Sequence, residues 1–290
     1  MSGIALGGRL ASGARGRAAG FALVLLLLST LLTAQLAHSG TADRSLRAAP
    51  LRLTVVFNNV VDDNSRSLAR EPAWGFSCLV ETPGRSILFD TGSDGPVLLS
   101  NLRRLGVDTA GIDAVVLSHL HGDHSGGLAD LLGRRPGLTV FLPASSPAWF
   151  TQRLARQAAE VVGIAGPQPP GAGMHSTGEL GTDIVEQALI VETPRGLVVV
   201  TGCAHPGIDV VAEQAIRQHR ARIHLLMGGF HLMGRSPHDV RAVIARLQRA
   251  GVLKVAPSHC TGEAAIELFR EAWDDDFVDG GLWAVIAMEP

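Results

Sequence analysis

Between Val115 and Leu128 the chain reads VVLSHLHGDHSGGL. An apolar run suited to a buried strand gives way at once to His119, His121, Asp123 and His124. On a helix, residues two apart face opposite sides, so His119 and His121 do not form the i, i+4 pair of a helical zinc site. The four side chains reach a common point only from a loop that curls around it, and Gly122 allows the tight path. A loop leaving the carboxyl end of a buried strand is where α/β folds place their sites. The spacing therefore asks for an α/β chain with a metal-wrapping loop.

The flanking sequence supplies the strands and helices. Residues 51–60, 75–82, 85–92, 112–118 and 138–143 read as strands, and 94–106 and 126–133 as helices. The stretch 144–183 is weakly patterned: SSPAWFTQRLARQAAEVV reads as a helix and GPQPPGAG as a loop, and the region is expected to line or cover a pocket. Strands resume at 186–194, 196–202, 223–229, 253–259 and 281–286, with helices near 207–220, 236–251 and 262–272. Each half opens with antiparallel strands and continues as alternating strands and helices. Two such halves pack sheet on sheet with helices outside, an α/β fold of the four-layer αββα sandwich type.

Composition narrows the function classes. Of 290 residues, 46% are hydrophobic and 18% charged, which excludes disorder for most of the chain. The formal net charge of −2 provides no footprint for nucleic acid. The first residues differ: Arg9, Arg15 and Arg17 precede AAGFALVLLLLSTLLTAQLA, a positive region followed by an apolar segment. This is the pattern of an export signal, long enough for a retained membrane anchor. The chain then divides into a signal or anchor (1–39), a linker (40–50) and one catalytic-type domain (51–290). The expected location is periplasmic or extracellular, with the N-terminal segment engaging the membrane or the export machinery. Cys78, Cys203 and Cys260 are too few for a disulfide framework.

Four ligands in one short loop are too many for a single catalytic ion with an open position. They suit two divalent ions sharing a water, with further ligands from elsewhere. Imidazole and carboxylate donors favour zinc, with iron or manganese as alternatives. His205 (VVVTGCAHPG), His231 (GGFHLMG) and His259 (APSHCTG) each follow a strand-like run and sit among small residues. His175, His224 and His238 have no such setting and read as ordinary.

SHLHGDHSGG resembles the H-x-H-x-D-H signature of the metallo-β-lactamase superfamily, and LFDTG, with Asp90, resembles its first motif. TGCAHPGI, GGFHL and SHCTG, with HSTGEL and EQALIVET, resemble the narrower family of dihydropterin–ribofuranosylaminobenzene phosphate synthase-like proteins, often described only as metal-dependent hydrolases. The resemblance covers about residues 51 to 290. It implies the four-layer fold and a binuclear site in which His119, His121 and His205 bind one ion and Asp123, His124 and His259 the other. It implies for Asp90 the role of a structural acid behind the metal loop. The wider superfamily usually has an acidic residue bridging both ions. Here Cys203 stands in its place with no carboxylate expected nearby, so a hydroxide alone bridges, or the thiolate contributes, or Cys203 is a small buried residue. Cys260 is expected close to Cys203, where a disulfide between them is possible in an oxidising compartment.

The expected chemistry is hydrolysis of an ester, lactone, phosphoester or related small molecule by a metal-activated hydroxide. Asp123 would hold one ion and orient the hydroxide, and His231 would donate a hydrogen bond to a substrate oxyanion or leaving group. The alternatives are a transferase of the synthase type, a β-lactamase, and a non-catalytic metal-dependent small-molecule binder.

Overall fold

The computed structural model describes residues 51–61, 72–157 and 160–288, all within one compact unit that spans 47–290. The N-terminal segment and linker lie outside the described residues. Among the described residues twelve strands, numbered in chain order, form two sheets. The first holds β1 (Leu51–Asn58), β2 (Phe76–Thr82), β3 (Arg85–Phe89), β4 (Ala114–Val116), β5 (Thr139–Pro143) and β6 (Glu160–Ile164). Its seventh member comes from the far end of the chain: β12 (Val285–Met288) pairs antiparallel with β1, giving the order β12-β1-β2-β3-β4-β5-β6. The second sheet holds β7 (Met174–Ser176), β8 (Leu189–Thr193), β9 (Gly196–Thr201), β10 (Ile223–Gly229) and β11 (Lys254–Ser258), in the order β11-β10-β9-β8-β7. Strands β3 to β6 run parallel, as do β9 to β11, and the hairpins β2–β3 and β8–β9 are antiparallel.

Alternation along the strands builds the layers. In β9, Val198 and Val200 face the first sheet while Leu197 and Val199 face helices. The centre between the sheets is filled by Phe76, Val80, Phe89 and Val116 from one side and Leu189, Val198, Leu225 and Met227 from the other. Outside the first sheet lie α1 (Gly95–Arg104), the short α2 (Gly122–Ser125), α3 (Leu128–Arg134) and α4 (Ala148–Arg156). Outside the second lie α5 (Ile208–His219), α6 (Pro237–Arg249) and α7 (Glu263–Trp273). Each long helix buries one stripe, as with Val240, Val243, Ile244 and Leu247 of α6. Three apolar clusters thus fill three interfaces of an αββα sandwich. Emptying one full position, as in Leu225→Ala, costs about 2–5 kcal/mol.

The middle region departs from expectation. The helix ends at Arg156, and Glu160–Ile164 is the edge strand β6, paired in parallel with β5. Only Leu154 of α4 is buried, whereas Val161, Val162 and Ile164 are β-branched and suit a pleated edge. The segment supplies an edge strand to each sheet, β6 and β7. The last strand also shifts, from 281–286 to Val285–Met288, with Leu282 making an isolated bridge to Val61. Among the described residues no helix is long and apolar enough to cross a membrane.

Candidate metal centre

The carboxyl ends of β3, β4, β9, β10 and β11 deliver Asp90, the loop 117–125, the loop 202–207, His231 and His259 to one place. Asp90, Ala204, His231 and His259 all hold positive φ, between 46° and 57°, a left-handed backbone that costs non-glycine residues about 1–2 kcal/mol each. Such outliers concentrate where surrounding structure overrides local preference. Gly202 has no room for a side chain: a Cβ would lie 2.1 Å from Ser118 Oγ and 2.9 Å from Asp90 Oδ2.

Asp90 is fully buried behind the loop. It accepts from the Ser118 backbone N–H and hydroxyl, each at 2.7 Å, and from His124 Nδ1 at 2.7 Å. Because the Ser118 hydroxyl donates to Asp90, its oxygen accepts from His119 Nδ1 at 2.9 Å. Both imidazoles are therefore held by Nδ1 with Nε2 turned toward the other ligand-type side chains, the arrangement that orients metal-binding histidines. His119 Nε2 lies 3.1 Å from His121 Nδ1. Burial, with the neighbouring His124 and His205, holds His119 well below its ordinary pKa and keeps it neutral. Burial also pulls on His124, but the Asp90 charge and hydrogen bond outweigh it and raise the group.

His259 is fixed by a reciprocal pair of contacts: its Nδ1 meets Asn59 Oδ1 at 2.6 Å, and Asn59 Nδ2 donates to its carbonyl at 3.1 Å. Asp123 Oδ2 stands 3.5 Å from His259 Nε2, 3.7 Å from His124 Nε2, and accepts from Trp74 Nε1 at 2.9 Å. Partial burial would raise the Asp123 carboxyl, but His259 and His124 outweigh it and hold it well below the carboxylate range. Ligand atoms of Asp123, His124, Cys203 and His259 lie within 4.8 Å of one another, as do those of His119, His121 and His205. His231, exposed, is in neither of these sets but groups with Cys203 and His205 within the same 4.8 Å, its ring centroid 4.3 Å from that of His205. His205 is drawn down to about 4 by burial and by His231 and His121.

A carboxylate does lie beside Cys203, contrary to expectation. Glu186 is buried, and it accepts backbone N–H bonds from Cys203 (2.8 Å), Ala204 (2.9 Å) and His205 (2.9 Å). It shapes the loop through its amides and belongs to neither ligand set. Burial raises its pKa despite those donors. Its neighbour Gln187 reaches the other loop, donating from Nε2 to Leu117 O and from its backbone N–H to Ser118 O, each at 2.9 Å. Asn59, Trp74, Glu186 and Gln187 support the site through these contacts and are the residues that motif reading missed. The one signal available for Glu186 is an acid just ahead of the apolar run ALIV in EQALIVET.

Cys203 and Cys260 are both free thiols. Cys203 Sγ lies 3.2 Å from His124 Nε2. Its hydrogen bond with Cys260 and its burial push the Cys203 thiol up, and the same bond pulls Cys260 down. Cys78 is buried in the core away from them, and burial holds its thiol protonated.

The donor set fits divalent metal. His205 Nε2 and His259 Nε2 are enclosed without a hydrogen-bond partner, and an orphaned buried nitrogen is costly unless something ligates it. Two cavities flank the site. One, of about 290 Å³, is lined by His205, His231, Arg235 and Arg246 among others. The other, of about 610 Å³, is lined by Val60, Val61, Trp74, Met233 and His259 among others. Neither draws on residues 144–183; that region instead lines another cavity, of about 250 Å³, where Trp149, Phe150 and Arg153 face Leu120, Ser125 and Gly126 of the ligand loop.

Comparison with known proteins agrees with this geometry. The sequence pattern of the metallo-beta-lactamase superfamily matches residues 75–218, from β2 through α5. The 7,8-dihydropterin-6-methyl-4-(beta-D-ribofuranosyl)-aminobenzene-5'-phosphate synthase of Methanocaldococcus jannaschii is 26% identical, over 71% of this chain and 88% of the synthase. A hydroxyacylglutathione hydrolase of Xanthomonas axonopodis pv. citri is 46% identical over 66 residues, 23% of this chain and 24% of that enzyme. A crystal structure described as a metal-dependent hydrolase of the beta-lactamase superfamily superposes with a TM-score of 0.70 and 27% identity, covering 83% of this chain and all of the other. With the αββα layers and the two histidine-rich sets in place, the chain belongs to the metallo-beta-lactamase superfamily.

Proposed function

We propose that this chain is a two-metal hydrolase that cleaves an ester, lactone or phosphoester bond in an anionic small molecule. The observation that carries the reading is the pairing of ligand sets whose outer nitrogens are already spent. His119 and His124 are tied back through Ser118 and Asp90, and His259 through Asn59, so their Nε2 atoms stay available. His119, His121 and His205 would hold one ion, and Asp123, His124 and His259 the other. Two such ions, when bound, would supply a water ionised near ~7 and Lewis acidity toward a substrate oxygen.

The protein's own groups do the rest. Trp74 Nε1 holds Asp123 Oδ2, which fixes the carboxylate and leaves Oδ1 to orient a nucleophile. His231, which lines the cavity beside His205, would donate to a leaving-group oxygen. Arg246 is engaged by Asp209, and Arg235 lines the same cavity as the cation for an anionic substrate group. On the other side, Trp74 (45% exposed) and Met233 (59% exposed) offer an apolar landing for an acyl or aryl portion. An exported location, read from the N-terminal pattern, is part of the proposal, and N-terminal sequencing of protein recovered outside the cytoplasm tests it.

A transferase reading draws on the synthase similarity and on the same arginine-lined cavity, which suits a phosphate. One experiment separates the readings: the purified protein, with metal content determined by elemental analysis, is assayed on a panel of esters, lactones, phosphoesters and β-lactams. Two ions per chain, turnover on one panel class, and loss on chelation or in His121→Ala support the hydrolase. Full activity in the metal-free protein overturns it. Tight metal binding with no turnover on any class favours the transferase or a binding protein.

A further inference from the structure

A separate cluster of ligand-type side chains lies at the other end of the second sheet. Glu192 sits on β8 opposite Leu197, where β9 begins. Cys203 follows the end of β9, six residues later, a separation of about 20 Å along an extended strand. The register places His175 of β7 opposite Ile190, and Glu192 two residues beyond on the same face. That face is covered by α5, since Ile190 packs with Ile208, Val211 and Ala215. Gln214 and Gln218 of α5 tie it down, donating to the carbonyls of Thr177 (3.3 Å) and Ser176 (3.1 Å). The last residue of α5, His219, is thereby delivered to His175 and Glu192.

The three side chains present ligand atoms within 4.8 Å of one another. His219 Nδ1 meets Glu192 Oε1 at 2.8 Å, and the His175 and His219 ring centroids are 4.8 Å apart. The His219 side chain is only 8% exposed, and its Nε2 is enclosed with no hydrogen-bond partner. His219 Nδ1 and Glu192 Oε1, 2.8 Å apart, are near the separation of two donors on one ion, and the buried imidazole has no other hydrogen-bond partner at Nε2. Burial, and then His219, hold His175 below its ordinary pKa, which favours the neutral ligand form. The spacing pattern gives His175 no functional setting; the fold provides one.

We propose that His175, Glu192 and His219 form a separate site for one divalent transition ion, with zinc the first candidate, that clips the end of α5 to the edge of the second sheet. Two imidazoles and a carboxylate are a borderline donor set suited to zinc, with water completing the tetrahedron. Zinc donors at about 2.0–2.1 Å from the ion lie about 3.3 Å apart, so a small turn of the half-buried His175 and Glu192 closes the set. The last turn of a helix, with its outward carbonyls, is a favourable place for a cation. The position has a structural consequence. Helix α5 begins just after His205 and β8 just after Glu186, so the clip stiffens both supports of the loop 202–207.

The full chain, stripped of metal and reloaded by dialysis against Zn2+, is expected to bind three ions, against two in Glu192→Gln and in His175→Ala. Glu192→Gln keeps size and an acceptor for His219, so it retains the fold, and circular dichroism checks this for both variants. The parent is expected to gain a zinc-dependent rise in thermal midpoint that persists in His121→Ala and is lost in Glu192→Gln. Equal zinc stoichiometry and equal zinc-dependent stabilisation in parent and Glu192→Gln overturn the proposal. Loss of ions in His121→Ala while the Glu192-dependent ion remains shows that the two sites stand or fall independently.

Discussion

The two loops that carry the metal ligands are built on different plans. The loop after β4 packs four ligands into six residues and fixes them through side chains, with Asp90 and Ser118 behind His119 and His124. The loop after β9 contributes His205, and Glu186 fixes it through backbone amides. The adjacent residues Glu186 and Gln187 reach both loops, one each. Local ligand density needs little scaffolding from afar. A lone ligand needs its backbone path imposed, and here a buried carboxylate imposes it.

The largest expected effect comes from breaking that second plan. Glu186→Ala leaves three amides without an acceptor, two buried and that of His205 partly so. At about 1–3 kcal/mol for each unsatisfied group, the variant loses at least about 3 kcal/mol in urea unfolding of the metal-free protein. It also loses the metal position that depends on His205. Gln187→Ala, with its backbone N–H bond to Ser118 intact, loses less. If Glu186→Ala unfolds at the parental midpoint, the loop 202–207 holds itself and the contrast between the plans disappears.

The difference between the plans also explains what could be read in advance. Runs such as IHLLMGG and GLVVVT announced their strands because alternating or continuous apolar residues have few other uses. The ligand loop announced itself because its chemistry is contiguous. Asn59 could not be read, because its partner His259 is 200 residues away and only the packing of β1 near β11 brings them together. Glu160–Ile164 was misread because its apolar residues follow a helix without a break in pattern, and only pairing with β5 distinguishes strand from helix there. Glu192 and His219 are silent in one dimension for the same reason, since register and helix docking make their meeting.

An intermediate effect tests the first plan. Asp90→Asn keeps the shape but places an amide against two donors, the Ser118 hydroxyl and His124 Nδ1. Outer partners of metal-binding histidines contribute about 10–100-fold to metal affinity. Competition with a chromogenic chelator should show a loss in that range for Asp90→Asn and a weaker loss, about tenfold, for Asn59→Ala, which supports only His259. Equal losses would mean that the side-chain plan gives no advantage over a single distant support.

The smallest effect is a pH dependence, and its sign differs between the loops. His205 falls from an ordinary 6.5 to about 4 in the folded chain, so between those values the unfolded chain binds more protons. Its contribution is therefore complete above 6.5 and is lost as pH falls toward 4. His124 is raised instead, so its contribution is complete below 6.5 and is lost as pH rises above that value. The side-chain plan tolerates a charged imidazole because Asp90 faces it. The backbone plan gives the His205 imidazole no such carboxylate, because Glu186 is occupied by amides, that of His205 among them. Urea midpoints of the metal-free parent and His205→Asn, measured from pH 8 to pH 4, should run parallel above 6.5 and converge below it as the parent loses its advantage. A gap that stays constant through pH 4 would show that His205 keeps its ordinary proton affinity, and with it that the loop after β9 is more open to water than the burial of its backbone implies.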